Sequence, residues 1–124
     1  MARITTTTIF KNQSLSAGNS ATSGIIDLRY AANKGFFSLA ARSASGTAGT
    51  MGTTVYTYKE CSLEKGNYIS PCAAVAIGTN GTGCTSSVFT FEPELAPFMK
   101  IVATQTGSGT AGKDSVISAE LHIQ

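Results

Sequence analysis

A chain of 124 residues is the size of one folded domain, and its charged fraction of 13% is well below the quarter or so usual for soluble proteins. A net charge of +2 supplies no basic surface for nucleic acid or an anionic membrane, and no apolar run approaches the ~20 residues of a membrane-spanning helix. Low charge together with 13 glycines and abundant Ser, Thr and Ala leaves a surface poorly defended by repulsion, which suits a subunit packed against neighbours.

The opening Met-Ala-Arg-Ile-Thr-Thr-Thr-Thr lacks the apolar stretch of a secretion signal, so synthesis and retention in a cytoplasm are expected. Thr5 to Phe10 is rich in β-branched residues and predicts a strand, followed by the polar Lys11-Asn-Gln-Ser14. Two roles fit residues 1–10: an edge strand of the chain's own sandwich, or an arm that extends a neighbouring subunit's sheet through backbone hydrogen bonds. Ile25 to Tyr30 alternates, with Ile26, Leu28 and Tyr30 opposite Asp27 and Arg29. Gly35 to Arg42 places Phe37, Leu39 and Ala41 on one side and Ser38 and Arg42 on the other. In Thr53 to Lys59, Tyr56 and Tyr58 share one face and Val55, Thr57 and Lys59 the other, and either face suits a core.

Cys61 to Asn67 reads as a loop or short helical turn. Ala73 to Ile77 is a small-residue strand, ended by the glycine-rich Gly78-Thr-Asn-Gly-Thr-Gly83. Val88 to Phe91 is the next strand, closed by Pro93 and Pro97, and Phe98 to Thr104 and Val116 to Ile123 are the last two. Apolar–polar alternation in short segments bounded by Gly, Ser, Asn and Pro, with no sustained helical period, makes this an all-β chain. Seven or eight such strands pack as an antiparallel β-sandwich, jelly-roll-like, in a single domain over 1–124; a six-stranded barrel is the competing architecture. The expected core is Phe37, Leu39, Phe89, Phe91, Ile101, Ile117, Leu121 and Ile123.

Gly107-Ser-Gly-Thr-Ala-Gly-Lys113 fits seven positions of the phosphate-binding loop G-x-x-x-x-G-K-[ST]. The eighth is Asp114, a carboxylate where the motif needs a hydroxyl, and the residues that follow alternate with a period of two where a helix is required. The same pentapeptide occurs twice, as Ser45-Gly-Thr-Ala-Gly49 and Ser108-Gly-Thr-Ala-Gly112, so both copies read as turns between strands.

Catalytic candidates are sparse. Cys61, Cys72 and Cys84 form no CxxC pair, and His122 stands on the outward side of the final strand, so neither a zinc site nor a Cys–His pair is expected. The odd cysteine count leaves at least one thiol unpaired in a monomer, and a reducing cytoplasm favours free thiols over a Cys72–Cys84 bridge or an intermolecular link. Glu92 and Glu94 flank Pro93 at a strand end without an aromatic cleft, and Asp27 and Asp114 are isolated in sequence. No enzymatic role, cofactor or metal is expected.

Ser23-Gly-Ile-Ile-Asp-Leu28, and Phe89-Thr-Phe-Glu-Pro-Glu-Leu-Ala-Pro-Phe-Met-Lys-Ile101 leading into Val116-Ile-Ser-Ala-Glu-Leu-His-Ile123, resemble the small β-sandwich structural proteins of tailed-bacteriophage virions, over roughly half the chain. The resemblance implies a non-enzymatic capsid decoration or cement protein, located in the virion after assembly in the host cytoplasm. Its implied partners are the major capsid protein or other virion subunits, and copies of itself in a homo-oligomer such as a trimer. Alternatives are a tail, adaptor or fibre-associated virion subunit, or a carbohydrate-binding β-sandwich module with Tyr30, Tyr56, Tyr58 and Tyr68 as stacking faces. The expected contact surfaces are the N-terminal strand, Ile4, Thr5, Thr6, Thr7, Thr8, Ile9 and Phe10, and the two repeated loops at Gly46, Thr47, Gly109 and Thr110.

Overall fold

The computed structural model describes residues 4–16, 18–29, 37–45, 53–70, 77–80, 85–93, 96–105 and 114–123. They form nine strands: β1 (Thr5–Ser16), β2 (Ser20–Thr22), β3 (Ile26–Asp27), β4 (Phe37–Ser45), β5 (Thr54–Cys61), β6 (Gly78–Asn80), β7 (Thr85–Phe91), β8 (Phe98–Gln105) and β9 (Asp114–Ile123). All pairings are antiparallel, in a front sheet ordered β1-β9-β4-β7 and a back sheet ordered β2-β8-β5-β6, with β3 also on β8. The chain passes back and forth between the sheets, which is the winding of a jelly roll, not of a single closed barrel. Among the described residues no helix is long and apolar enough to cross a membrane.

Period-two alternation decides which residues lie between the sheets. In the front sheet, inward rows run across the strands as Thr7–Leu121–Leu39–Phe89 and Thr5–Ile123–Phe37–Phe91. The back sheet contributes Met99, Ile101 and Ala103 from β8 and Tyr56 and Tyr58 from β5, all buried. The tyrosine face of β5 is therefore the core face. Six of the eight expected core residues are buried; Phe89 and Phe91 are half-buried, because among the described residues β7 is the margin of its sheet.

Several element boundaries differ from the sequence expectation, each for a local reason. β1 continues through Lys11-Asn-Gln-Ser14 to Ser16, but its register against β9 shifts between Thr8 and Phe10 and again between Phe10 and Gln13, with Asn12 at a φ of 49°. Those bulges break the alternation from which a strand is recognised. Of the described residues 25–29, only Ile26–Asp27 are strand, since the Asp27 carboxylate accepts the Arg29 backbone N–H at 3.0 Å and turns the chain. Arg29 also forms a 2.8 Å ion pair with Asp27, and these hydrogen bonds hold the Asp27 carboxyl below its ordinary range. Ser20–Thr22 is an additional strand. Ser23 separates it from β3: the Ser23 hydroxyl accepts the Ile101 N–H at 2.9 Å where a strand would offer a carbonyl.

Residues 71–76 lie outside the described residues, so the expected 73–77 strand is represented only by Ile77, which is buried. Gly78–Asn80, expected as loop, is strand β6, paired with β5 at Thr54, Val55 and Tyr56. Glycine is required there, because a Cβ at residue 78 would stand 2.2 Å from the Phe89 ring. That ring packs over the glycine backbone and lies 6.3 Å from the Tyr56 ring.

At one end of the interior the core turns polar. Gln105 is fully buried and its amide donates to the Leu15 carbonyl and to the Ser115 hydroxyl, joining β8 to β1 and β9. Gly18, with a φ of 78°, turns the chain from the front sheet to the back, donating its N–H to the Gln105 carbonyl at 2.9 Å. Thr54, Tyr56 and Asn80 occupy the same polar end, and the Tyr56 hydroxyl has no hydrogen-bond partner among the described residues. Burial pushes the Tyr56 phenol up to about 12, with the nearby Asn80 amide opposing the shift from outside good hydrogen-bond geometry.

Two outcomes follow from this packing. Gly78→Ala is expected to lower unfolding free energy by about 1–3 kcal/mol in urea titration, because the Phe89 ring must move to admit the methyl group. Tyr56 is neutral in the fold where an unfolded tyrosine ionises, so its contribution is intact below pH 10 and is lost as pH rises towards 12. Tyr56→Phe removes that term: its melting temperature is expected to fall less steeply than wild type between pH 10 and 12.

Candidate interaction surface

The outward side of the front sheet is built from the residues that alternate with the core. Its cross-strand rows run Thr6–His122–Ser38–Thr90, Thr8–Glu120–Ala40–Val88, Ser118–Arg42–Ser86 and Ser14–Val116–Ala44. Arg42, Glu120 and His122 are the acidic or basic side chains in these rows, and most others are Ser, Thr or Ala. Small side chains on a regular ladder make a low-relief face, and depletion of charge is the compositional mark of the central part of a protein interface. Val88, 66% exposed, stands on this face at its β7 margin. Ile4, equally exposed, precedes β1 at the opposite margin.

β1 belongs to the chain's own sheet, as its edge strand. Thr5, Thr6 and Thr8 are exposed, Thr7 and Ile9 are half-buried, and Phe10 is buried between the sheets. Of the expected contact residues, Ile4, Thr5, Thr6 and Thr8 are thus open to a partner, whereas Phe10 is spent on the core. Gly46, Thr47, Gly109 and Thr110 lie outside the described residues. The strands flanking their two loops end side by side, with Ser45 paired to Ser115 and Thr54 to Gln105. Asp114 begins strand β9, so the residues after Lys113 do not form the helix of a phosphate-binding loop.

The candidate catalytic residues are separated by the fold. His122 is on the outward side of the front sheet, where its Nδ1 lies 3.0 Å from the Thr6 hydroxyl. Cys61 is a free thiol on β5 of the back sheet, and its Sγ accepts the Leu63 N–H. The two side chains leave opposite sheets, too far apart for one to activate the other. Glu92 is exposed, and Glu94, Cys72 and Cys84 lie outside the described residues.

Of the tyrosines named as stacking faces, two are closed to a sugar. Tyr56 and Tyr58 are buried, and Tyr30 lies outside the described residues. Tyr68 donates its hydroxyl to the Glu64 carbonyl at 2.8 Å, and the Lys100 ammonium sits 4.5 Å from its ring centroid, covering one face. Arg29 similarly lies 5.1 Å over the Phe98 ring.

Sequence reasoning anticipated β1 as a strand, with an edge position among its two expected roles, but did not single out the outward face of β4, β9 and β7. The signal was present in the alternate residues Ser38, Ala40, Arg42 and Ala44, which become a surface only when placed beside Ser118, Glu120 and His122. Compared with known proteins, the sequence matches no protein-family model and no curated protein.

Proposed function

We propose that this chain is a non-enzymatic structural subunit of a bacteriophage virion, of the capsid decoration or cement type. It binds the major capsid protein or a neighbouring virion subunit through the outward face of the front sheet. The observation that carries this reading is the row Thr8–Glu120–Ala40–Val88 and its neighbours: a regular four-strand surface mostly of small side chains, with Arg42, Glu120 and His122 as its ionisable groups. A surface of that kind gains little from water and loses little side-chain entropy when covered, so many individually weak contacts add to a stable attachment. The jelly-roll fold agrees with a virion role and does not by itself decide it, because lectins and cupins share that architecture. The resemblance of the 23–28, 89–101 and 116–123 segments to virion β-sandwich proteins supplies the rest of the argument.

The test is cosedimentation with shells of the major capsid protein encoded in the same genome. Saturable binding is expected, and Ala40→Lys should reduce affinity by about tenfold or more, since it places an ammonium in the middle of the covered face. Residue 40 is half-buried on the outward side, so the variant is expected to melt within a few degrees of wild type. Absence of saturable binding, or equal binding by Ala40→Lys, would count against this function. Capture by tails or fibres in place of shells would move the subunit to another part of the virion.

A further inference from the structure

A sheet margin with unpaired backbone groups invites another strand, and proteins ordinarily block it with short strands, bulges, lysine or proline. Three of the four margins here are blocked in whole or in part. The back sheet ends in the short β2 and β3 on one side and in the three-residue β6 on the other. In the front sheet, the second half of β1 carries Lys11, two register shifts and the positive φ of Asn12. Two stretches lack any such device. One is the first part of β1, Thr5 to Thr8, in regular register with β9 and preceded by the exposed Ile4. The other is the whole of β7, Thr85–Phe91, which has no charge and no proline and keeps unbroken register with β4 from Phe37↔Phe91 to Ser43↔Thr85. Among the described residues β1 pairs with β9 alone and β7 with β4 alone.

We propose that copies of this chain join head to tail through these two stretches, β7 of one copy pairing antiparallel with the start of β1 of the next. Strand direction permits it. Every neighbour in the front sheet is antiparallel, so β1 and β4 run one way and β9 and β7 the other. A second copy displaced sideways along the sheet therefore sets its β1 against β7 with the alternation preserved. The exposed side chains agree as well. Thr6 lies opposite His122 on the outward side, so Ile4, two residues earlier, shares that side, as does Val88 opposite Ala40. Ile4 and Val88 are each 66% exposed in the isolated chain, and a register that places them opposite each other also places Thr6 opposite Ser86. The junction then has an apolar pair beside a Thr–Ser pair, at the spacing where cross-strand side chains touch. Pairing β7 with a second β7 about a two-fold axis is also antiparallel, but it leaves Ile4 and the start of β1 uncovered. Head-to-tail joining covers both and yields a closed ring or an open row of subunits. The inference concerns contacts between copies and does not rest on which shell the chain binds.

The experiment is native mass measurement on wild type, Ile4→Lys, Val88→Lys and an equimolar mixture of the two variants. Both substituted side chains are exposed, so each variant is expected to melt like wild type, and a melting scan of each verifies that a loss of mass is not a loss of fold. Wild type is expected to be an oligomer and each variant alone a monomer, because a lysine on one margin blocks every junction. The mixture is expected to give a dimer containing one copy of each, since one variant retains an intact β7 margin and the other an intact β1 margin. A monomeric wild type at all concentrations would overturn the proposal. So would a mixture that stays monomeric, or loss of assembly by Val88→Lys alone with Ile4→Lys unaffected, which is the signature of a two-fold β7 contact.

Discussion

The register of β9 is the constraint on which the rest of the molecule depends. β9 is paired on both sides, to β1 and to β4, and its nine pairs with β4 run without a shift from Phe37↔Ile123 to Ser45↔Ser115. A slip of one residue would turn Ile117, Leu121 and Ile123 to solvent and bring Ser118, Glu120 and His122 between the sheets. Burying Glu120 without a partner would cost several kcal/mol, so the pairing has one acceptable solution. The same solution fixes the outward face, because the residues that line it are those the core excludes. Core and candidate interface are two sides of a single alignment.

Legibility in the sequence followed the strength of alternation. Ile117, Ala119, Leu121 and Ile123 against Ser118, Glu120 and His122, and Phe37, Leu39 and Ala41 against Ser38 and Arg42, gave two central strands and the front sheet's central share of the core directly. β5 was visible as a strand but not in orientation, since Val55 and Thr57 suit a core nearly as well as Tyr56 and Tyr58; only its neighbours Met99 and Ile101 across β8 decide the matter. The length of β1 was hidden by its bulges. β2, β3 and β6 are too short to show a period, and their existence depends on partners distant in sequence: Ser20–Thr22 on Val102–Thr104, and Gly78–Asn80 on Thr54–Tyr56. Of the candidate surface, the β1 strand was readable from its β-branched run, whereas the broad face was not, since it is assembled from strands separated by up to half the chain or more.

A surface with few charges has two physical meanings. On a dispersed protein it is a liability, since little repulsion opposes association. On a subunit with a fixed place in an assembly the same absence lowers the desolvation that contact would otherwise cost. Within this molecule the charges are unevenly distributed. Outside the front face, Arg29 is held by Asp27 and lies over the Phe98 ring, and Lys100 lies over Tyr68. Arg29 and Lys100 on the back-sheet side are thus engaged with their own chain, while the front face carries mainly Ser, Thr and Ala in regular rows, with Arg42, Glu120 and His122 among them.

The pairing of β1 with β9 also sets the order of events during synthesis. The first strand of the chain finds its partner in the last, from Thr5↔Ile123 at one end to Ser16↔Asp114 at the other. Residues 5–16 therefore leave the ribosome long before their partner exists, and the front sheet is completed only once residues 114–123 have been made. Topologies dominated by such distant contacts fold in roughly milliseconds to seconds, more slowly than helical bundles of similar length. During that interval both edges of the threonine-rich segment are open. A second nascent chain presenting its own β9 offers the same ladder, so crowded expression of this protein carries a built-in route to strand exchange.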